Sequence, residues 1–502
     1  MICFFSYLTI NQVYRVNGLK ILHTTAEYFP FIKSGGLSDM LSSLTIEQAK
    51  SDEVFVALPY ISSIKEKIEY TGVIYNCISS EDLKSSIASQ ILEKSKFKEA
   101  IWSGVKLYFF DSELFSPLQS IYANHNEHYN FAIFSYACYY LSKVLSVDIV
   151  HSHDWHTALV TILCKNSKPN KPTCFTIHNL AYQGDHGAEV CGFLRADPFY
   201  LNLDYLYNLN RINYMKGALL YTDQITTVSP GYRDEVLNEP SGNSLSWLLR
   251  EKETVFKGIL NGINTNEWNP EVDNKIYSNY NFLTHKTGKE KNKIELYKEF
   301  GLDIEIERPL IGMVSRLSFQ KGFTTFLNSF YQKWYLPFYY IILGTGEENL
   351  ENAFFYESHH NHRRLFFYKG FNEATARKIE AASDFFLMPS LFEPCGLNQL
   401  YSHSYGAIPI VSRVGGLKDS VVESWDKKEL TGFIFEAGLD HSLNYALERA
   451  AQYYNSKEDF YFTREKIMQL DWSWKKGAKE YNQVYLNAIS NFRSFLSLEE
   501  IE

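Results

Sequence analysis

Short apolar, β-branched runs alternate along the chain with longer segments of helical period, the pattern of βαβ units that build parallel sheets. In the first half this pattern predicts strands at residues 19–23, 54–58, 148–151, 173–177 and 224–228. In the second half it predicts strands at 310–314, 339–343, 365–368, 385–388 and 408–411. Between the two sets lies a polar stretch, 269–293, rich in Asn, Lys and Tyr and poor in apolar periodicity, which reads as a linker or surface excursion. Two doubly wound α/β halves facing a central cleft are therefore expected, with ligands outside the carboxyl ends of the strands. The halves carry a weak echo of each other. GGLSD (35–39) follows the first strand and GGLKD (415–419) follows a late one, both placing glycines where a loop enters a helix. The C-terminal part reads as helical, with DWSW (471–474) ahead of a closing amphipathic segment. The absence of low-complexity blocks and short repeats excludes solenoids and propellers.

With 502 residues the chain is too long for one ordinary core; at roughly 150 residues per domain, two large domains fit. Hydrophobic residues make up 45% and charged residues 21%, a folded, soluble composition. A net charge of −9 and a pI of 5.9 argue against nucleic acid or an anionic membrane as partner. No apolar run approaches the roughly 20 residues that span a bilayer. The opening MICFFSYLTI is apolar, but it lacks a basic n-region and a small-residue cleavage site, so it reads as an extension and not a signal peptide. Seven cysteines (Cys3, Cys77, Cys138, Cys164, Cys174, Cys191, Cys395) form no C-x-x-C pair. That odd, scattered set suits buried thiols in a reducing, cytoplasmic compartment.

Four segments carry candidate chemistry. Lys33-Ser34-Gly35-Gly36-Leu37 lies between a strand and a helix, where paired glycines bring backbone N–H groups to an anion and the helix N-terminus adds partial positive charge. Taken alone it reads more simply as a surface turn, and its spacing is not that of a Walker A loop. His151-Ser152-His153-Asp154-Trp155-His156 follows an apolar strand. Its spacings point the rings in different directions and it lacks a partner motif, so a hydrogen-bonded histidine cluster is expected ahead of a metal site. In the segment from Ser315 to Gly322, Arg316 and Lys321 stand five apart across a turn into a helix and could clamp one diphosphate. Solvated charges are the plainer alternative, although cations at a helix start oppose its dipole and so argue for an anion there. Finally, Phe392-Glu393-Pro394-Cys395-Gly396-Leu397 can aim a carboxylate at sugar hydroxyls or merely cap a helix, and Cys395 reads as a packed thiol. No two aspartates stand two apart, so a D-x-D metal motif is absent. Gly344-Thr345-Gly346-Glu347 lacks the third glycine of a dinucleotide fingerprint.

Together these segments resemble the bacterial glycogen synthases and plant starch synthases, retaining glycosyltransferases of GT-B fold. The resemblance runs from about residue 20 to about residue 486. It rests on KSGGLSD (33–39), HSHDWH (151–156), TIHNLAYQG (176–184), TTVSPGY (226–232), LNGIN with WNP (260–270), VSRLSFQKG (314–322), PSLFEPCGLNQL (389–400), YGAIPIV (405–411) and GGLKDSV (415–421). Departures from the family pattern stand at Asn210, Ser244, Trp247, Asn264 and Leu391.

The resemblance implies transfer of glucose from ADP-glucose, or alternatively UDP-glucose, to the non-reducing 4-OH of glycogen or a maltooligosaccharide, with retention of the α-anomer and with neither metal nor cofactor. A related transferase with another acceptor, or a weakly active glucan-binding homologue, is the alternative. By match to the family motifs, Lys33, Arg316 and Lys321 would hold the donor diphosphate, and Gly35 and Gly36 would bring N–H groups to it. His178 would face the reacting sugar and Glu393 would hold the glucose hydroxyls. Asp39, Tyr122, Asp154, Asn179, Asn261, Cys395, Gly396 and Leu397 would line the donor and acceptor sides. The implied organisation is an N-terminal extension over 1–19, a Rossmann-like acceptor-side domain over 20–255, a Rossmann-like nucleotide-sugar domain over 256–470, and a C-terminal helix over 471–502 returning to the first domain. No well-placed nucleophile is evident, so retention is expected by a front-face route.

Overall fold

The computed structural model describes residues 18–64, 67–78, 86–122, 126–166, 170–195, 201–302, 305–360 and 364–499, with side chains to residue 492. Residues 1–17 of the expected extension, with Cys3, and residues 500–502 lie outside the described residues. The chain divides into two compact units. One comprises the chain up to Val228, Arg233–Ile259 and the segment from Trp474 onward; the other comprises Ser229–Tyr232 and Leu260–Ser473.

The first unit is built on a nine-stranded sheet. Its strands are β1 (Lys20–Thr24), β2 (Glu53–Pro59), β3 (Tyr70–Asn76), β4 (Lys96–Trp102), β5 (Val105–Asp111), β6 (Ile149–His153), β7 (Thr173–Ile177), β8 (Gln224–Thr227) and β9 (Phe256–Gly258), in the order β9-β8-β7-β6-β1-β2-β5-β4-β3. Only the β3–β4 and β4–β5 pairings are antiparallel. β6 and β7 are buried along their whole length, as central parallel strands covered on both faces are, although His151, Ser152 and His153 of β6 and Thr173 and Thr176 of β7 interrupt their apolar runs. β3 at the sheet edge is mostly exposed and carries no such run. Helix α1 (Gly36–Gln48) follows β1, and α2 (Glu127–Val144) lies on the sheet. The C-terminal helix Lys475–Glu499 lies against α1, β7 and β8, with Tyr481 and Tyr485 fully buried.

The second unit has a six-stranded, wholly parallel sheet. Its strands are β10 (Leu310–Val314), β11 (Tyr339–Gly344), β12 (Leu365–Lys369), β13 (Phe385–Met388), β14 (Ile408–Ser412) and β15 (Phe433–Phe435), ordered β12-β11-β10-β13-β14-β15. Alternate residues face opposite layers, as strand geometry requires. Ile311, Met313, Ile342, Phe385 and Leu387 enter one core with Phe326, Phe354, Leu447 and Phe460. Leu310, Ile341 and Leu343 enter another with Leu296 and Ile379.

Two expectations are corrected. The division falls after Ile259, because Phe256–Gly258 pairs with β8 and completes the first sheet; residues 471–473 belong to the second unit, where Trp472 O accepts from Ile263 N at 2.8 Å. Nor is 269–293 a linker. It packs onto the second unit through Ile276 and Tyr280 and runs into α3 (His285–Glu299). Lys289, Asn292 and Lys293 are buried there, and each donates to backbone carbonyls. Lys289 Nζ donates to Glu380 O (3.1 Å) and Tyr405 O (2.8 Å), near the C-terminal ends of α4 (Glu373–Ala382) and α5 (Asn398–Tyr405), where unpaired carbonyls favour a cation. Lys293 and Arg464 flank Asp384 at 2.8 and 2.7 Å, and Leu310 N donates to it at 3.0 Å. Burial opposes ionisation of Asp384, but the two cations prevail and hold its carboxyl well below the usual range.

Removing one member of a buried ionic triad strands the others. Asp384→Ala should therefore destabilise the protein by about 3–5 kcal/mol in chemical denaturation. A loss below about 1 kcal/mol would show that the triad does not anchor α3.

Candidate active site

In the first unit, the sequence motifs occupy the carboxyl ends of β1, β6 and β7. The loop after β1 delivers Lys33, Gly35 and Gly36 to the start of α1, where Gly35 is extended and no side chain caps the helix. Lys33 Nζ lies 2.9 Å from Asp39 Oδ1 and 4.9 Å from the centre of the Phe29 ring. Glu27, which motif reading did not single out, is buried and accepts from Ser34 N (2.8 Å) and Gly35 N (3.0 Å). Its other oxygen accepts from Tyr122 OH at 2.5 Å. A carboxylate thus occupies the donors that a helix start offers to anions. Burial, then the neighbouring Glu27 charge, pushes the Tyr122 hydroxyl above its ordinary range.

Asp154, directly after β6, holds a positive φ of 54°, a strained setting for a residue with a Cβ. Its Oδ1 accepts from His178 N (2.8 Å) and Asn179 N (3.4 Å), so it shapes the turn after β7. Burial raises its carboxyl to about 7 against those two hydrogen bonds. Asn179 Oδ1 in turn accepts from Ala181 N at 3.0 Å.

The histidines form a hydrogen-bonded chain. His178 Nε2 lies 3.0 Å from His153 Nδ1, His153 Nε2 lies 3.0 Å from His23 Nδ1, and His23 Nε2 lies 3.0 Å from Gln48 Oε1. Gln48 Nε2 donates to Tyr485 OH (3.1 Å), which meets His151 Nδ1 at 2.8 Å; His151 Nε2 meets Thr176 Oγ1 at 2.6 Å. One nitrogen from each of His23, His151 and His153 lies within 4.8 Å of the others, near enough for metal coordination, yet all six ring nitrogens have hydrogen-bond partners. Burial drives His23, His156 and His178 down to about 3, and His151 and His153 well below their ordinary value.

In the second unit, two motifs fold onto each other at the carboxyl ends of β10 and β13. Lys321 Nζ lies 2.6 Å from Glu393 Oε2, which also accepts from Ser390 Oγ at 2.9 Å. Leu391 N donates to Gln320 O (2.8 Å) and Gln320 Nε2 to Phe392 O (3.1 Å). Two glycines permit this approach. A Cβ on Gly322 (φ 67°) would lie 1.8 Å from Pro389 O, and one on Gly415 (φ 40°) would lie 1.9 Å from Glu393 O. Arg316 is exposed and has no ion-pair partner among the described residues. Asn261 is buried with its Oδ1 unpartnered. Burial pushes the Cys395 thiol up to about 12 against a hydrogen bond from the Asn261 backbone, so it stays protonated. Gly396 (φ 72°) and Leu397 lead into α5.

The predicted residues therefore form two sets. Lys33, Gly35, Gly36, Asp39, Tyr122, Asp154, His178 and Asn179 lie in the first unit, and Asn261, Arg316, Lys321, Glu393, Cys395, Gly396 and Leu397 in the second. Glu27, His23, Gln48 and Tyr485 were missed. Of these only Glu27, an acid in the otherwise aromatic and apolar stretch before Lys33, left a trace in the sequence.

This arrangement defines a glycosyltransferase. The first unit matches the family model for the starch synthase catalytic domain over residues 20–251, and the second matches glycosyl transferases group 1 over residues 298–462. Over 473 residues the chain is 54% identical to a glycogen synthase of Leptospira biflexa serovar Patoc, covering 94% of this chain and 99% of that one. It is 37% identical over 486 residues to the glycogen synthase of Bacillus licheniformis, covering 94% and 98%. The catalytic domain of starch synthase IV from Arabidopsis thaliana, solved with ADP and acarbose, matches with a TM-score of 0.84 at 30% identity, over 94% of this chain and 100% of that one. The chain belongs to the glycogen synthase family. Among the described residues, no helix is long and apolar enough to cross a membrane.

The neutral histidines set an acid limit on stability. A histidine held near 3 when folded but titrating near 6.5 when unfolded costs about 1.4 kcal/mol of stability per pH unit below 6.5. Asp154 acts oppositely, because its folded value exceeds its unfolded one. Five histidines outweigh one aspartate, so urea unfolding at pH 5 should show at least about 2 kcal/mol less stability than at pH 7. Equal stability would mean that the chain carries protons.

Proposed function

We propose that the protein elongates α-1,4-glucan by transferring glucose from ADP-glucose to the non-reducing 4-OH of glycogen or a maltooligosaccharide, retaining the α-configuration. The observation that carries this reading is the Lys321–Glu393 pair, built by two family motifs at adjoining strand ends. Glu393 offers acceptor oxygens to the hydroxyls of the donor glucose, and Ser390 and Lys321 restrain its carboxylate. Lys321 and Arg316 bind the donor diphosphate in the second unit; in the first, Lys33 and the N-terminus of α1, whose Gly35 N–H must first leave Glu27, offer positive charge to an anionic group of the substrate. As the glycosidic bond breaks, negative charge grows on the departing diphosphate and positive charge on the sugar ring. Fixed cations and helix dipoles stabilise the first without reorganising at the moment of reaction. His178, neutral through the physiological range, faces the second without adding repulsive charge. Among the described residues no activated nucleophile is evident, and Cys395 is held as a thiol, which supports front-face displacement over a covalent intermediate. Asn261, with its buried unpartnered oxygen, is suited to a substrate hydroxyl. The six described cysteines are free thiols, which supports a reducing, cytoplasmic setting.

Glucose incorporation into glycogen, measured with purified protein at matched ADP-glucose and UDP-glucose concentrations, tests the reading. ADP-glucose should be the better donor, and Lys33→Ala and Glu393→Ala should each cost about a hundredfold or more in rate. Rates within threefold of the parent would overturn these roles, and turnover confined to another acceptor would overturn the substrate.

A further inference from the structure

The histidine chain has a direction, and one residue sets it. A neutral imidazole has one N–H donor and one acceptor nitrogen, so each ring passes on the polarity it receives. Gln48 is the member whose two ends differ chemically without titrating. Its Nε2 donates to Tyr485 OH, which leaves its Oε1 to accept from His23 Nε2. His23 Nδ1 is then an acceptor for His153 Nε2–H, and His153 Nδ1 is an acceptor for His178 Nε2–H. On the other side Tyr485 OH donates to His151 Nδ1, and His151 Nε2–H donates to Thr176 Oγ1. Turning the Gln48 amide over would reverse every one of these bonds and leave His178 protonated on Nδ1 instead.

We propose that Gln48 is a positioning residue for His178: its amide, with Nε2 on Tyr485 and Oε1 on His23, fixes the Nε2–H tautomer of His178 and leaves Nδ1 as a lone-pair acceptor for the reacting sugar. The inference rests on the role given to His178 above. His23, His151 and His153 are fully buried, as are Gln48 and Tyr485, and apolar side chains would fill the same space without the desolvation cost of polar groups. A fully satisfied chain of this kind converts that cost into a single proton arrangement at its exposed end, the partly exposed His178. The burial that keeps all four histidines neutral keeps the polarity from being scrambled by protonation.

The test uses the full chain labelled with 15N-histidine, with His178 assigned by the signal lost in His178→Asn. The parent should show His178 in one tautomer, protonated on Nε2. Gln48→Met, which keeps volume but removes the amide, should yield a tautomer mixture, a fall in kcat of about tenfold or more and a donor KM within about threefold, the scale set by losing partners that orient a catalytic group. Gln48→Glu, which keeps an acceptor for His23, should retain the parent tautomer. If Gln48→Met does not fold, Tyr485→Phe removes the acceptor of the Gln48 Nε2 amide, frees the amide to turn over and should also produce a mixture. A parent His178 protonated on Nδ1, or one unchanged tautomer in both Gln48→Met and Tyr485→Phe, would overturn the proposal. A shifted tautomer with unchanged kcat would instead leave the relay standing and remove His178 from the reacting sugar.

Discussion

Lys321 can reach Glu393 only because two glycines let backbone segments approach more closely than any side chain allows. Gly322 rests against Pro389 O and Gly415 against Glu393 O, so the loops after β10, β13 and β14 nest at the carboxyl ends of the second sheet's strands. Parallel strands make this possible by ending on the same side, so motifs far apart in sequence are brought together without long excursions. The ion pair then restrains a glutamate whose flexible side chain would otherwise sample many orientations, and a restrained carboxylate is what recognition of sugar hydroxyls needs.

The first unit handles polarity differently. At the start of α1, Glu27 stands where an anion would sit, accepting from Ser34 and Gly35 and tied to Tyr122. Beneath it, the hydrogen-bonded histidines fill a core position that residues of equal volume could have filled with hydrocarbon. Each polar group there is paired, and this keeps a buried network from becoming a cost without return. Lys33, Arg316 and Lys321 bring positive charge to the motif loops, Lys33 paired with Asp39 and Lys321 with Glu393, while burial keeps the imidazole of His178 neutral.

The central strands were legible because parallel strands buried on both faces are rich in apolar residues, a pattern clearest in β2, β10, β11, β13 and β14. The motif loops were legible for the same geometric reason, since each directly follows such a strand. The segment 269–293 was misread because composition reports polarity and not partners: Lys289 and Lys293 are buried by caps and carboxylates supplied from residues about ninety or more positions later. β3 and β4 at the sheet edge lack the continuous apolar run, so they left a weaker signal. Gln48 and Tyr485 were invisible for a deeper reason. A glutamine in an amphipathic helix and a tyrosine 437 residues away look like any surface polar residue and core aromatic until the fold joins them.

On the proposed reading, a departing diphosphate is neutralised by lysine and arginine side chains and a helix N-terminus, with no divalent ion sharing the load. That charge balance is tested most directly by the rate of glucose transfer from ADP-glucose to glycogen in excess EDTA. Turnover equal to that without chelator is the expected result. Loss of turnover on chelation, restored by added magnesium, would contradict it.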